Sequence, residues 1–353
     1  MKPMTNRERI EAVLAGQQPD MIPFTTYFDH LPRGEVERTL RNNGLAIIEP
    51  MYTFNNVYPH VTISRKQRWE NNQVRIRETW ETPKGSIWRD LVFESGYGSE
   101  FTTCHYIKDE RDYEILEFIL RDLIFQPNFE AFFYVEKRLG QDGMVLVRTP
   151  RTPYQQLMIE WLGVERLTID LHEQCDGLMR VFRVLEKKEE DFIDILTTSP
   201  GKVIWIPDNI TKEMIGAPRF EKYCIKSYKK YSRALKGLDK LISVHMDGKL
   251  AGLAENIKHA PVDIVEAFTP PPDGDLSICE AQEKWPDKIL WLNFTSSMHL
   301  ASNDEIALYT RSLVSSLHKK AGLLVGVTEN IPSYRWMESL ATILSVLRET
   351  TME

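Results

Sequence analysis

An alternation constrains this chain more than any single motif. Eight short apolar runs, at 22–27, 47–51, 144–149, 203–206, 241–246, 262–268, 289–294 and 323–328, are separated by amphipathic stretches. Each run is short, rich in branched residues and almost continuously hydrophobic, as parallel strands buried on both faces are. Helical patterns fill most of the gaps. The clearest, residues 302–322, opens with Ser302 and Glu305 as a capping box and places Ile306, Tyr309, Leu313 and Leu317 on one face. Lys319 and Lys320 suit its negative end, and Gly322 terminates it. A shorter capped helix opens the chain, with Thr5 as N-cap, Glu8 three residues later and Gly16 as its stop. Eight strands alternating with helices predict a (β/α)8 TIM barrel occupying the whole chain as one domain.

One segment breaks the rhythm. Residues 52 to about 110 read as alternating antiparallel strands, with Pro83-Lys84-Gly85 as a turn between two of them. This predicts a small β excursion inserted in the N-terminal third, followed by helices from about Asp112 to Leu139.

Bulk properties exclude several classes. A formal net charge of -7 gives no basic face for nucleic acid. No apolar run approaches the roughly 20 residues of a membrane span. The opening MKPMTNRERIEAVLAG has no signal-peptide core, so a cytoplasmic location is expected. Cys104, Cys175, Cys224 and Cys279 are scattered. Any metal site must therefore use oxygen and nitrogen ligands.

In a barrel of this kind, chemistry sits at the C-terminal strand ends. The run at 241–246 carries His245, with Asp247-Gly248 just beyond; the run at 262–268 carries Glu266; Glu329 follows the last run. His245 and Glu266 lie inside apolar runs, where a charged or polar group needs a partner. Imidazole and carboxylates form a ligand set for Zn²⁺, so His245, Asp247, Glu266 and Glu329 are the candidate metal ligands. Each has a plainer alternative. His245 suits a hydrogen-bonded core residue, and Asp247 a cap of the next helix. Glu266 suits a partner of a buried arginine such as Arg148, and Glu329 the start of the last helix. Glu280 and His299 are rival ligands. Asp208, Asn293 and His299, also at strand ends, are candidates for positioning substrate or protonating a leaving oxygen. Tyr27 is one of several aromatics able to line a pocket for a planar substrate, and His30 and Arg33 sit in the segment expected over the barrel mouth. Pro270 to Pro272 set a rigid path after Glu266.

TNRERIEAVLAGQQPDMIPF, KDERDYEILEFILRD, VIWIPDNITKEMIGAPRFEKY and ISVHMDGKL, in that order, resemble the uroporphyrinogen decarboxylase superfamily across nearly the whole chain. The resemblance implies the same barrel. The arginine-rich opening motif of its decarboxylases, of the kind RQAGRYLPEY, is replaced here by TTYFDHLPRGEVERTL. The superfamily's other chemistry is zinc-dependent methyl transfer involving a corrinoid protein. Its thiol-methylating members carry His-x-Cys-Gly where this chain has His245-Met246-Asp247-Gly248. Sulfur has become oxygen, which suits a harder Lewis acid acting on an ether oxygen. VEAFTPPPDGDLS and ILWLNFTSSMHL also resemble the O-demethylase branch. The resemblance therefore implies a methyltransferase that takes a methyl group from a methoxylated, aromatic substrate and delivers it to Co(I) of a corrinoid (cobalamin) carried by a partner protein. A metal-free decarboxylase and a non-catalytic small-molecule-binding barrel are the alternatives. The oligomeric state stays open, a homodimer included.

Overall fold

The computed structural model describes residues 3–317 and 321–349, so Lys319 and Lys320 lie outside the described residues. Eight parallel strands close into a barrel in chain order. They are β1 Phe24–Tyr27, β2 Leu45–Met51, β3 Gly143–Arg148, β4 Val203–Ile206, β5 Leu241–His245, β6 Ile264–Phe268, β7 Ile289–Asn293 and β8 Leu323–Val327. β8 pairs with β1 through Val325 to Phe24 and Val327 to Thr26, which closes the ring. The predicted (β/α)8 barrel is present, and every apolar run lies within two residues of its strand. The capping boxes at Thr5 and Ser302 both form, starting helices Asn6–Leu14 and Asn303–Ser315. Among the described residues, no helix is long and apolar enough to cross a membrane.

The chain divides into two compact units. The first, Met1–Met51, Glu130–Thr149 and Pro200–Glu353, contains the barrel. The second, Tyr52–Phe129 and Pro150–Ser199, contains the β excursion. In the second unit, Thr62–Glu70, Gln73–Thr82, Gly85–Glu94 and Ser99–Cys104 pair in sequence order as an antiparallel sheet. Asn71 and Asn72, both at positive φ, make the first tight turn, a conformation that asparagine tolerates well. Pro83-Lys84 makes the second, as expected. Phe54–Val57 pairs separately with Ile124–Pro127, and the long helix Asp176–Thr198 belongs to the same unit.

Inside the barrel, side chains alternate. Ala46, Ile48, Met144, Leu146, Val203, Trp205, Ile264, Trp291 and Leu324 form the filled core, joined by Ile10, Val13 and Leu14 of the first helix. That helix packs its apolar face against residues near the strand starts, so the N-terminal end of the barrel is closed by hydrophobic burial. Two glycines make the packing possible. A Cβ on Gly326 would approach Thr25 Oγ1 to 2.9 Å and Trp291 Nε1 to 3.0 Å, where these two groups hydrogen-bond at 2.9 Å. A Cβ on Gly143 would lie 1.8 Å from the Ile47 carbonyl oxygen, a backbone atom that cannot yield without moving β2. Gly143→Ala is therefore expected to cost about 3 kcal/mol or more. Chemical denaturation should show this as a lower midpoint, and an unchanged midpoint would refute the close approach.

Candidate active site

The site is built on Glu266. Its side chain lies on the inward face of β6 and is 0% exposed. A carboxylate so buried must be hydrogen-bonded. Tyr27 Oη donates to Oε1 at 2.6 Å, and Trp205 Nε1 donates to Oε2 at 2.8 Å. His245 Nδ1 stands 2.7 Å from Oε2. An ionised carboxylate only accepts, so Nδ1 carries the proton. Any metal or proton that His245 exchanges then uses Nε2. The three aromatic rings pack edge to face, with Trp205 5.9 Å from Tyr27 and 6.0 Å from His245. Burial, and after it the Glu266 charge, pushes the Tyr27 phenol well above its ordinary range, so it remains a donor. Arg148 lies 5.5 Å over the Trp205 ring.

The backbone helps. Ala267, directly after Glu266, has φ of 60°. The pairing of β6 with β7 shifts there: Glu266 opposes Trp291, while Phe268 opposes Leu292. This is a bulge, which re-aims the side chains beyond it. Phe268 packs on Trp285 at 6.0 Å instead of following Glu266 into the mouth. The cost of the left-handed alanine is about 1–2 kcal/mol.

Asp247 and Glu329 flank this core. The capping role open to Asp247 is taken by Asp275, whose Oδ1 accepts from the N–H groups of Leu250 and Ala251 at 2.7 and 2.9 Å. Asp247 Oδ1 is buried and has no hydrogen-bond partner. Glu329 does not start the last helix, which begins at Trp336; it accepts from Ser296 Oγ. Burial raises the Glu329 carboxyl above the usual range. The Ser296 hydrogen bond opposes this, the Asp247 charge adds to it, the His245 ring opposes it and Asp273 adds to it. His245, Asp247 and Glu329 thus share one electrostatic neighbourhood, in which Asp247 and Asp273 set negative charge against Glu329. Against a ready-made cage, no three His, Cys, Asp or Glu side chains among the described residues converge closely enough to hold a metal ion. The orphaned Asp247 oxygen and the donor chemistry suit a cation, while the spacing is open.

The other expected residues make contacts within the barrel and its loops. Asp208 is 0% exposed and accepts from Tyr228 Oη at 2.9 Å. Asn293 Oδ1 accepts from the Thr328 N–H at 3.1 Å, and its amide donates to Thr269 at 3.4 Å, tying the ends of β6 to β8. His299 is buried with Nδ1 2.5 Å from Ser339 Oγ, and burial followed by Arg335 lowers its pKa to about 4. Glu280 closes the capping box of helix Ile278–Lys284. Arg33 clips its own loop, donating to the Phe28 carbonyl at 2.5 Å and pairing with Glu37. His30 packs edge-on against Tyr27 at 5.1 Å. The proline segment is pinned where Tyr309 Oη donates to the Pro271 carbonyl at 2.6 Å. Trp205 was legible only as one apolar residue in a run; its indole N–H leaves no sequence signal. Ser296 and Asp273 were missed for the same reason, being ordinary loop residues until folded.

No family model and no curated protein matches the sequence. Solved structures do. A methyltransferase from Methanosarcina mazei aligns over 98% of this chain and 99% of its own, with a TM-score of 0.60 at 11% identity. That likeness is one of fold. A protein described as a vitamin-B12-independent methionine synthase from Listeria monocytogenes aligns over 62% of this chain and 67% of its own. Its TM-score is 0.34 at 14% identity, too loose to carry an argument.

Two outcomes follow for the frame. Tyr27→Phe removes one donor from a buried carboxylate and is expected to cost about 1.5–3 kcal/mol in denaturant unfolding. The His299 pKa is depressed in the fold, so the unfolded chain binds the extra proton first on acidification. Stability attributable to His299 is complete above pH 6.5 and declines by about 3 kcal/mol as pH falls to about 4. His299→Asn should flatten that part of the stability profile; a wild-type slope retained in the variant would exclude this residue.

Proposed function

We propose that this chain is the methyltransferase component of a corrinoid-dependent O-demethylase. In this proposal, the methyl group of a methoxylated, aromatic substrate passes to Co(I) of the corrinoid on a partner protein docked at the barrel mouth. One observation carries it: the His245 ring is held through Nδ1 by buried Glu266, beside an unpartnered Asp247 carboxylate oxygen and Glu329. A carboxylate behind a histidine is the outer-shell arrangement that orients a metal-bound imidazole. The full-length likeness in fold to a methyltransferase supports the same reading.

In this scheme His245 Nε2, Asp247 and Glu329 would hold Zn²⁺. Glu266 is assigned to orienting His245, because both its oxygens already accept hydrogen bonds. Zinc, when bound, draws electron density from the ether oxygen and stabilises the departing phenolate. Tyr27 and Trp205 fix Glu266, and through it the tautomer of His245. Burial of the cluster excludes water, which strengthens every charge interaction there. Asp208, Asn293 and His299 keep the mouth in shape. A metal-free decarboxylase acting on a polycarboxylate would need a basic pocket. Glu266, Asp247, Glu329 and Asp273 outnumber Arg148 around the cluster, which does not favour that alternative.

Metal content of the purified protein tests the scheme. About one zinc per chain is expected in the wild type and none in His245→Ala. In Glu266→Gln, where only the orientation of the ring is weakened, affinity should fall about 10–100-fold. A wild type that takes up no zinc at neutral pH overturns the metal assignment. Loss of Co(I) absorbance on mixing with a methoxylated aromatic and free cob(I)alamin reads the transfer itself.

A further inference from the structure

Of the three groups that the zinc scheme uses, His245 has its support in Glu266. Glu329 has a support of its own, and it comes from a loop. Ser296 opens the short helical turn Ser296–Leu300 beyond β7, and its hydroxyl donates to Glu329 Oε2, 33 positions along the chain. A serine at the start of a helical turn commonly bonds its own backbone. This one reaches a distant carboxylate instead. No hydrogen bond from the described residues reaches Glu329 Oε1, so that oxygen keeps its lone pairs. The turn is fastened on both sides of Ser296. Before it, the buried Thr295 hydroxyl donates to Tyr309 Oη at 2.6 Å, and Tyr309 donates in turn to the Pro271 carbonyl at 2.6 Å. After it, the Ser297 N–H donates to Asp273 Oδ2 at 2.9 Å. Both fastenings end on one proline-stiffened stretch. Two residues further along that stretch, Asp275 Oδ1 accepts from Leu250 and Ala251 in the loop that carries Asp247. Gly274 packs against the same loop, where an added Cβ would come within 3.3 Å of the Gly248 carbonyl oxygen.

A long, flexible carboxylate side chain loses rotamer freedom when it ligates. A hydroxyl that already holds one oxygen removes much of that loss and leaves the other oxygen to the cation. We propose that Ser296 is the positioning residue of Glu329, and that the segment 270–275 braces both the Ser296 turn and the Asp247 loop, so that the two carboxylates are presented together. For what the carboxylates hold, this rests on the zinc reading above; for how they are held, it rests on hydrogen bonds of this chain. Ser296 is thus to Glu329 what Glu266 is to His245, a partner one step behind the ligand.

The test is the Zn²⁺ affinity of the full chain, read by competition with a chromogenic chelator and so without any turnover. Ser296→Ala should weaken it about 10–100-fold, and Ser296→Thr, which keeps the hydroxyl, should restore most of the loss. Circular dichroism on each variant checks folding. Equal affinity in the wild type and Ser296→Ala overturns the assignment, as does a loss that Ser296→Thr leaves unrestored. A double-mutant cycle on the metal-free protein separates this inference from the zinc reading. The denaturation midpoints of Ser296→Ala, Glu329→Ala and the double variant should be non-additive, because the two side chains share one hydrogen bond. Non-additive midpoints in a protein that takes up no zinc keep Ser296 as the support of Glu329 and defeat the zinc assignment. Additive midpoints overturn the positioning role whatever the zinc affinities are.

Discussion

The buried carboxylate of Glu266 is the constraint to which the rest of the site answers. Isolated in a low-dielectric interior, such a charge would cost many kcal/mol or take up a proton. Here Tyr27 from β1, Trp205 from β4 and His245 from β5 converge on one group of β6. Four of the eight strands are thereby held in register by a single side chain. The arrangement is all or nothing: removing any donor leaves part of a charge unsatisfied. It also explains why three bulky polar rings gather around one carboxylate inside the barrel. They fill volume as a core must and bring the donors that a purely apolar core lacks.

Much of the fold was legible because parallel strands buried on both faces leave a blunt signature. VIWI is apolar from end to end, and ISVHM and LLVGVT nearly so; short runs of this kind between helical patterns are how buried parallel strands read. Capping boxes were equally readable, since Thr5 with Glu8 and Ser302 with Glu305 act locally. The site was legible in part. His245 and Glu266 stood out as polar groups inside apolar runs, and they do touch. What could not be read was direction. The sequence places a glutamate beside a histidine's strand but does not say whether its oxygens face a metal or three hydrogen-bond donors. Nor does it show that Asp275, twenty-eight positions beyond Asp247, takes the backbone N–H groups that Asp247 might have capped. Such choices are settled by long-range geometry, which local pattern does not encode. The same holds for the segment 150–199, whose helical pattern reads like any other barrel connection but which joins the β excursion in a separate compact unit.

The two ends of the barrel differ in what they leave unsatisfied. At the N-terminal end, Ile10, Val13 and Leu14 seal the strand starts with apolar contacts. A groove of about 690 Å³ there, lined by Met21, Leu40 and Leu344, carries the ion pair Arg9–Asp20 and no orphaned polar atom. Conserving energy is all that end has to do. At the C-terminal end, Asp247 Oδ1, His30 Nδ1 and Thr328 Oγ1 are each buried and unpartnered, and a left-handed alanine is retained beside Glu266. Each feature is destabilising on its own by about 1 kcal/mol or more. A chain stabilised overall by only about 5–15 kcal/mol tolerates few such defects, and five more residues that carry one lie in the second unit: Thr53, Arg75, Arg89, His105 and Trp161. At the mouth, the defect beside His245 is the one with a chemistry attached under the function proposed above: the unpartnered Asp247 oxygen and Glu329 place negative charge where a cation would meet it.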